Sequence, residues 1–212
     1  MDLKNKIIEK AEDLFLRYGL KSVTMDDIAR KLGISKKTLY QYVENKTDLV
    51  SKIVLAHIEE EKAMMSEVRS QSADAIEEML KVGRYAIQQL RKLSPTLMYD
   101  LQKYYGNIWI MLQKLHMEHG QQMIRDNIDR GMRQGVYRQD INADILARMY
   151  VMSTFALVNE EVFPLKEFNR ERLFIEFIKY HIHGIASEEG LVLYQRHAKT
   201  SNLPGANADD KK

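Results

Sequence analysis

Gly33 is the residue around which this chain must be arranged, because it separates two segments that each read as a short helix. In the first, Met25, Ile28, Ala29 and Leu32 recur at helical spacing and form one apolar face, with Ala29 small enough to let another helix cross closely. Thr24 precedes it as an N-cap whose hydroxyl can accept from the backbone of Asp27, and Asp26 and Asp27 place negative charge in a first turn that favours it. Gly33 can take the left-handed conformation that ends such a helix, Ile34 returns to the core, and Ser35 caps the next segment. The connection is about three residues long, which suits a helix-turn-helix corner. Leu39 is then the apolar anchor beneath the second helix.

The surface of that corner is basic. From Ile28 to Val43 the only charged residues are Arg30, Lys31, Lys36 and Lys37, interleaved with Ser35, Thr38, Tyr40, Gln41 and Tyr42. On an unspecified helix this would be a solvated face. On a helix-turn-helix corner it is a surface suited to phosphate.

These residues carry a resemblance. Gly19-x-x-x-x-Thr24, Ile28-Ala29-x-x-x-Gly33-Ile34-Ser35, Thr38-Leu39-Tyr40-x-Tyr42 and Asn45-Lys46-x-x-Leu49 resemble the TetR (tetracycline-repressor-like) family closely from Gly19 to Leu49. The sequence departs from the family pattern at Val43, where an aromatic is usual, and at Lys37, where a glycine is common. Val43 weakens core packing slightly, and Lys37 adds charge to the helix that enters the major groove, so the family's base preferences do not transfer. The resemblance implies that Lys46, in the first turn of the following helix, contacts a phosphate flanking the groove.

Composition excludes several alternatives. The 212 residues are 45% hydrophobic and 29% charged, enough to bury a real core in one or two domains. No cysteine is present, so disulfides, zinc-thiolate sites and thiol nucleophiles are unavailable. The N-terminus MDLKNKIIEKAEDLF lacks a signal-peptide pattern, and the most apolar stretch, Met149 to Val158, falls short of the about 20 residues that span a bilayer. A cytoplasmic protein without a membrane partner is expected. The formal net charge of +2 says little about nucleic acid; the local cluster carries that argument.

Along the chain, Ile7, Ala11, Leu14, Phe15 and Tyr18 form the stripe of a supporting helix that Gly19 ends. A fourth helix starts at a cap pair, Asn45 and Asp48, and runs to about Val68 as a lever. Further helices are predicted at about 73–93, 95–105 (capped by Ser94 ahead of Pro95) and 107–134. Gly120 within the last of these marks close packing or a bend. Asn142 caps another. No strand pattern occurs, so the fold class is all-α: a three-helix head over residues 1–48, a helical ligand-binding and dimerisation bundle over 49–190, and a mobile tail over 191–212, with about nine helices. The segments Ile145 to Val158 and Leu173 to Ile185 are apolar on more than one side, as the two interface helices of a two-fold homodimer would be, with Met149, Met152, Phe174, Phe177, Ile178, His181 and Ile182 in contact.

The function expected is a ligand-responsive transcriptional regulator, a homodimeric repressor of double-stranded DNA with a near-palindromic operator whose half-sites lie about one helical turn (~34 Å) apart. Lys36, Lys37, Thr38 and Gln41 are candidates for base edges; Thr24, Tyr40, Tyr42 and Lys46 for phosphates; and Ser35 belongs to the same surface. A small, hydrophobic effector would be lined by Tyr85, Met98, Tyr99, Tyr104, Trp109, Leu112, Met123 and Phe155, residues that could equally be ordinary core. Two alternatives stand beside this: a metal-binding sensor or enzyme using His116 and His119, three apart on one helix, and a helical module that binds protein only. There is no G-x-S-x-G and no glycine-rich phosphate loop, so an enzyme is not expected, and neither a resident metal nor a cofactor is.

Overall fold

Capping residues stand at several of the helix starts: Thr24, Ser35, Asn142 and Asn169 each accept from a backbone N–H of the first turn. A computed structural model describes residues 2–92 and 95–200, which form ten helices and no strand apart from one isolated antiparallel bridge between Tyr137 and Ala186. These are α1 (Leu3–Tyr18), α2 (Met25–Leu32), α3 (Lys36–Leu39), α4 (Lys46–Ser70), α5 (Ala75–Lys92), α6 (Pro95–Tyr104), α7 (Gly106–Arg133), α8 (Ala143–Val158), α9 (Arg170–Ile185) and α10 (Glu188–Thr200). Ser94, the expected cap of α6, lies outside the described residues. None of the described helices is long and apolar enough to cross a membrane.

The helices sort into two compact units, residues 1–61 with 92–115, and residues 62–91 with 116–212. The expected boundary at residue 48 falls inside the first of them. In the first unit Leu49 of α4, Leu101 of α6 and Ile108 of α7 join the core formed by Ile7, Phe15, Ile28 and Leu39, so three further helical segments complete the core of α1–α3. Asp100, also buried, accepts a hydrogen bond from the Lys21 backbone N–H at 2.8 Å. Beside it Gly19 has φ +82°, and an added Cβ there would stand 3.1 Å from the Asp100 carboxylate, so the turn after α1 requires glycine twice over.

In the second unit the core is Ile76, Met79, Leu80, Ile124, Ile128, Val151, Ile178 and Ile182. Gly120 packs α7 closely on α8, its hypothetical Cβ 3.1 Å from Val151. The tail expected from Leu191 is instead helical to Thr200, because Tyr194 and Ala198 are buried in that core and Ser187 accepts from the Gly190 N–H at 3.1 Å. Those apolar residues at i and i+4 were the readable sign of a packed helix. The remainder of the expected tail, residues 201–212, lies outside the described residues.

Candidate DNA interface

The corner is fixed from inside. Leu39 is fully buried beneath α3, and Met25, Ile28 and Ala29 bury the inner side of α2. Val43 is buried too, filling in the core the place of the aromatic that its position lacks. Thr24 caps α2 in both directions: its Oγ1 accepts from the Asp27 N–H at 3.2 Å, and the Asp27 carboxylate accepts from the Thr24 N–H at 2.9 Å. The Thr24 hydroxyl also donates to that carboxylate at 2.6 Å, and this bond together with the one from the Thr24 N–H holds the Asp27 carboxyl below the usual carboxylate range. Gly33 has φ +67°, and Ser35 then caps α3 by accepting from the Thr38 N–H at 3.0 Å. After four residues α3 tightens: Gln41 and Tyr42 donate to the carbonyls three residues back, Thr38 and Leu39.

With Leu39 pointing inward, Ser35, Lys36, Lys37, Tyr40 and Gln41 are exposed, while Thr38 and Tyr42 are half-buried. Thr24, Arg30 and Lys31 are exposed on or beside α2. The structure brings every DNA candidate into the head, yet does not leave them equivalent. The Thr38 hydroxyl is 2.8 Å from that of Ser35. Lys36 is paired with Asp26 of α2, Nζ to Oδ1 at 3.0 Å, and Arg30 lies 3.7 Å from Asp27. Among the described residues Lys31 and Lys37 have no ion-pair partner, so their charges are the ones open to phosphate.

Lys46 is turned inward. Its ammonium donates to the Leu20 carbonyl and lies 5.7 Å from the centre of the Phe15 ring, and burial pushes its pKa down. It staples the start of α4 to the turn after α1. Lys52, which sequence reasoning missed, donates to the Tyr42 carbonyl at 3.0 Å and to Asp48 at 2.6 Å. The i, i+4 spacing of Asp48 and Lys52 was its only signal.

The expected ligand set divides between the two units. Met98, Tyr99, Tyr104, Trp109 and Leu112 belong to the first unit, and Tyr85, Met123 and Phe155 to the second. Trp109 and Leu112 pack against the head core, and Met123 and Phe155 against the core of the second unit. Tyr99 and Tyr104 are exposed, with the Lys103 ammonium 4.9 Å and 5.6 Å from the respective ring centres, which corrects their place as pocket lining. Among the described residues no group of three or more His, Cys, Asp or Glu side chains could hold a metal ion, and His116 meets the Phe155 ring edge-on at 5.3 Å.

The interface set needs a similar correction. Phe174, Ile178, His181 and Ile182 are buried within the single chain, and Phe177 is half-buried beside them, because α9 uses these residues to pack on α8 and α5. What stays exposed is a stripe on α8, Ile145, Met149 and Met152, and Tyr180 on α9 at 80% of its full exposure. Large apolar side chains at i, i+4 and i+7 facing solvent are a surface that asks for a cover.

His181 is the one buried side-chain donor or acceptor among the described residues without a partner, at Nε2, and its ring lies 4.6 Å from that of Tyr150. Burial lowers its pKa to about 4. Below the ordinary histidine value the unfolded chain binds a proton that the folded one refuses, so stability falls as pH drops from about 6.5 towards about 4, by up to about 3 kcal/mol, and is level above that window. Urea unfolding of wild type and His181→Phe between pH 7 and pH 4 is expected to show this slope in the wild type and lose it in the variant.

Comparison with known proteins follows the same division. Residues 7–53 match the family described as bacterial regulatory proteins, tetR family. The chain is 27% identical over 189 residues to the HTH-type transcriptional regulator YvaF of Bacillus subtilis (strain 168), covering 88% of this chain and 97% of that protein. A 52-residue stretch, 24% of this chain and 28% of the relative, is 38% identical to the biofilm operon icaADBC HTH-type negative transcriptional regulator IcaR of Staphylococcus epidermidis. In fold, a transcriptional regulator from Cytophaga hutchinsonii matches with a TM-score of 0.73 at 18% identity, over 86% of this chain and 98% of that one.

Proposed function

Since the chain belongs to the TetR family of bacterial regulatory proteins and is a transcriptional regulator, we propose that it is a homodimeric repressor, released from a near-palindromic operator by a small effector. The observation that carries this reading is the capped corner at Gly33, whose outward side presents Lys31 and Lys37 without ion-pair partners beside Tyr40 and Gln41. Lys37 and Gln41 reach base edges together with Lys36 and Thr38; Thr24, Tyr40 and Tyr42 hold phosphates; and Lys46 fixes the head rather than touching DNA. The negative regulator among its relatives supports the sense of repression. The sequence motifs and the relatives are those of a regulator, not an enzyme.

Dimerisation rests on the exposed stripe of α8 with Tyr180 of α9, which a second copy would cover in an isologous contact. A hydrophobic effector would meet Tyr85, Met123 and Phe155 in the second unit, and it acts only through a difference in affinity between the DNA-ready arrangement and another. Such a protein works in the cytoplasm, where the DNA is.

One experiment tests the core of this reading: binding to the duplex upstream of its own gene across salt concentration, with light scattering on the same samples. Wild type is expected to bind as a dimer, Lys31→Ala to bind more weakly on all sequences with a salt slope reduced by about 1, and Met149→Glu to become monomeric and lose the operator. Binding no tighter than to random DNA, followed by failure to select any sequence from a random pool, would overturn it.

A further inference from the structure

Asp26 sits where the sequence gives it only a modest task, as one of two acids in the first turn of α2. The cap itself uses Thr24 and Asp27, so Asp26 is spare for helix formation. Its carboxylate is exposed and reaches across the corner to the first residue of α3, with the Lys36 ammonium 3.0 Å from Oδ1 and 3.2 Å from Oδ2. Of the cations between Ile28 and Val43, Lys36 is the one held from the neighbouring helix; Arg30 meets an acid of its own helix, and Lys31 and Lys37 meet none among the described residues. Asp26 therefore sets a negative charge across the corner against a cation of α3, whereas Asp27 serves the cap of its own helix.

We infer that Asp26 is a specificity-determining residue, which holds Lys36 away from indiscriminate phosphate contact and directs its remaining N–H donors to a base edge. This rests on the DNA-binding reading above. A lysine is a point charge on a flexible stem and takes whichever phosphate is near. Tied to a carboxylate, it is already neutralised and releases little counterion on a random duplex, while two of its three donors remain for a base such as guanine. On that reading the exposed Asp26 carboxylate, beside Lys36, opposes binding that is not repaid by base contacts. Discrimination between partners commonly needs such a repulsive element.

The test compares wild type, Asp26→Asn, Asp26→Glu, Lys36→Ala and the double variant Lys36→Ala with Asp26→Asn, on the selected operator and on a random duplex, across salt. If Asp26→Asn frees one phosphate contact, affinity for the random duplex rises about eightfold at ~0.1 M salt and about fourfold at ~0.2 M, the salt slope steepens by about 0.9, and the preference for operator falls by a similar factor. Asp26→Glu retains the wild-type preference, and Asp26→Asn produces only a residual gain when Lys36 is already alanine. Unchanged random-duplex affinity and slope in Asp26→Asn would overturn the inference, as would an equal gain with and without Lys36. A wild type that binds no DNA would instead remove the reading on which it rests. Circular dichroism melts of each variant confirm that the head is folded, since the cap of α2 is untouched.

Discussion

Arg130→Ala is expected to destabilise the C-terminal unit by about 3–5 kcal/mol, because it leaves the Glu78 carboxylate charged and buried without its partner. Arg130 and Glu78 are 2.7 Å apart, with side chains only 19% and 4% exposed. The guanidinium also donates to the carbonyls of Ser72 at 2.6 Å and Ala73 at 3.3 Å, satisfying backbone between α4 and α5 that has no helical partner. Urea unfolding followed by circular dichroism measures the loss. Adding Glu78→Leu to Arg130→Ala should recover part of it, since the orphaned charge is then gone. A double variant no more stable than Arg130→Ala would show that the lost carbonyl contacts, rather than the buried charge, dominate.

Gly131→Ala, one residue on, is expected to cost about 3 kcal/mol by overpacking. An added Cβ would lie 2.0 Å from Cδ2 of Tyr137, a ring with nowhere to go. Tyr137 is 1% exposed, and its hydroxyl donates to Asn127 Oδ1 at 3.0 Å or the Ala75 carbonyl at 3.1 Å. The same burial pushes its hydroxyl pKa well above the ordinary tyrosine value. Calorimetry should show the midpoint lowered by roughly 6–12 °C for a chain of this size. In a Tyr137→Val background the same alanine should cost far less, and an equal cost in both backgrounds would disprove the clash.

These two residues also mark the limit of what was legible in the sequence. The corner from Thr24 to Leu39 could be read residue by residue because caps, a turn glycine and an apolar anchor act over three or four positions. Most helix limits in the bundle followed from the same local signals. Gly131 packs against Tyr137 of the loop that follows α7, and Arg130 pairs with Glu78 of α5, and no spacing rule announces either contact. The α9 members of the expected interface set lie inside the chain for a related reason. Ile178 and Ile182 are apolar on a helix that is apolar nearly all round, and periodicity cannot say which side meets its own chain and which a second copy. Charge misled in the head as well: Lys46 and Lys36 were counted with the free cations, although one is turned inward and the other tied to Asp26.

The last described helix has a consequence for how the chain comes to be folded. The contacts that make the corner around Gly33 lie within about a dozen residues and can form soon after that stretch is synthesised. The C-terminal unit is different, since His197 of α10 reaches back 123 residues to Asp74, at 2.7 Å, and Tyr194 and Ala198 complete the core. That unit cannot close until synthesis has passed Ala198. The corner around Gly33 is thus able to form early, while the core of the C-terminal unit waits for α10.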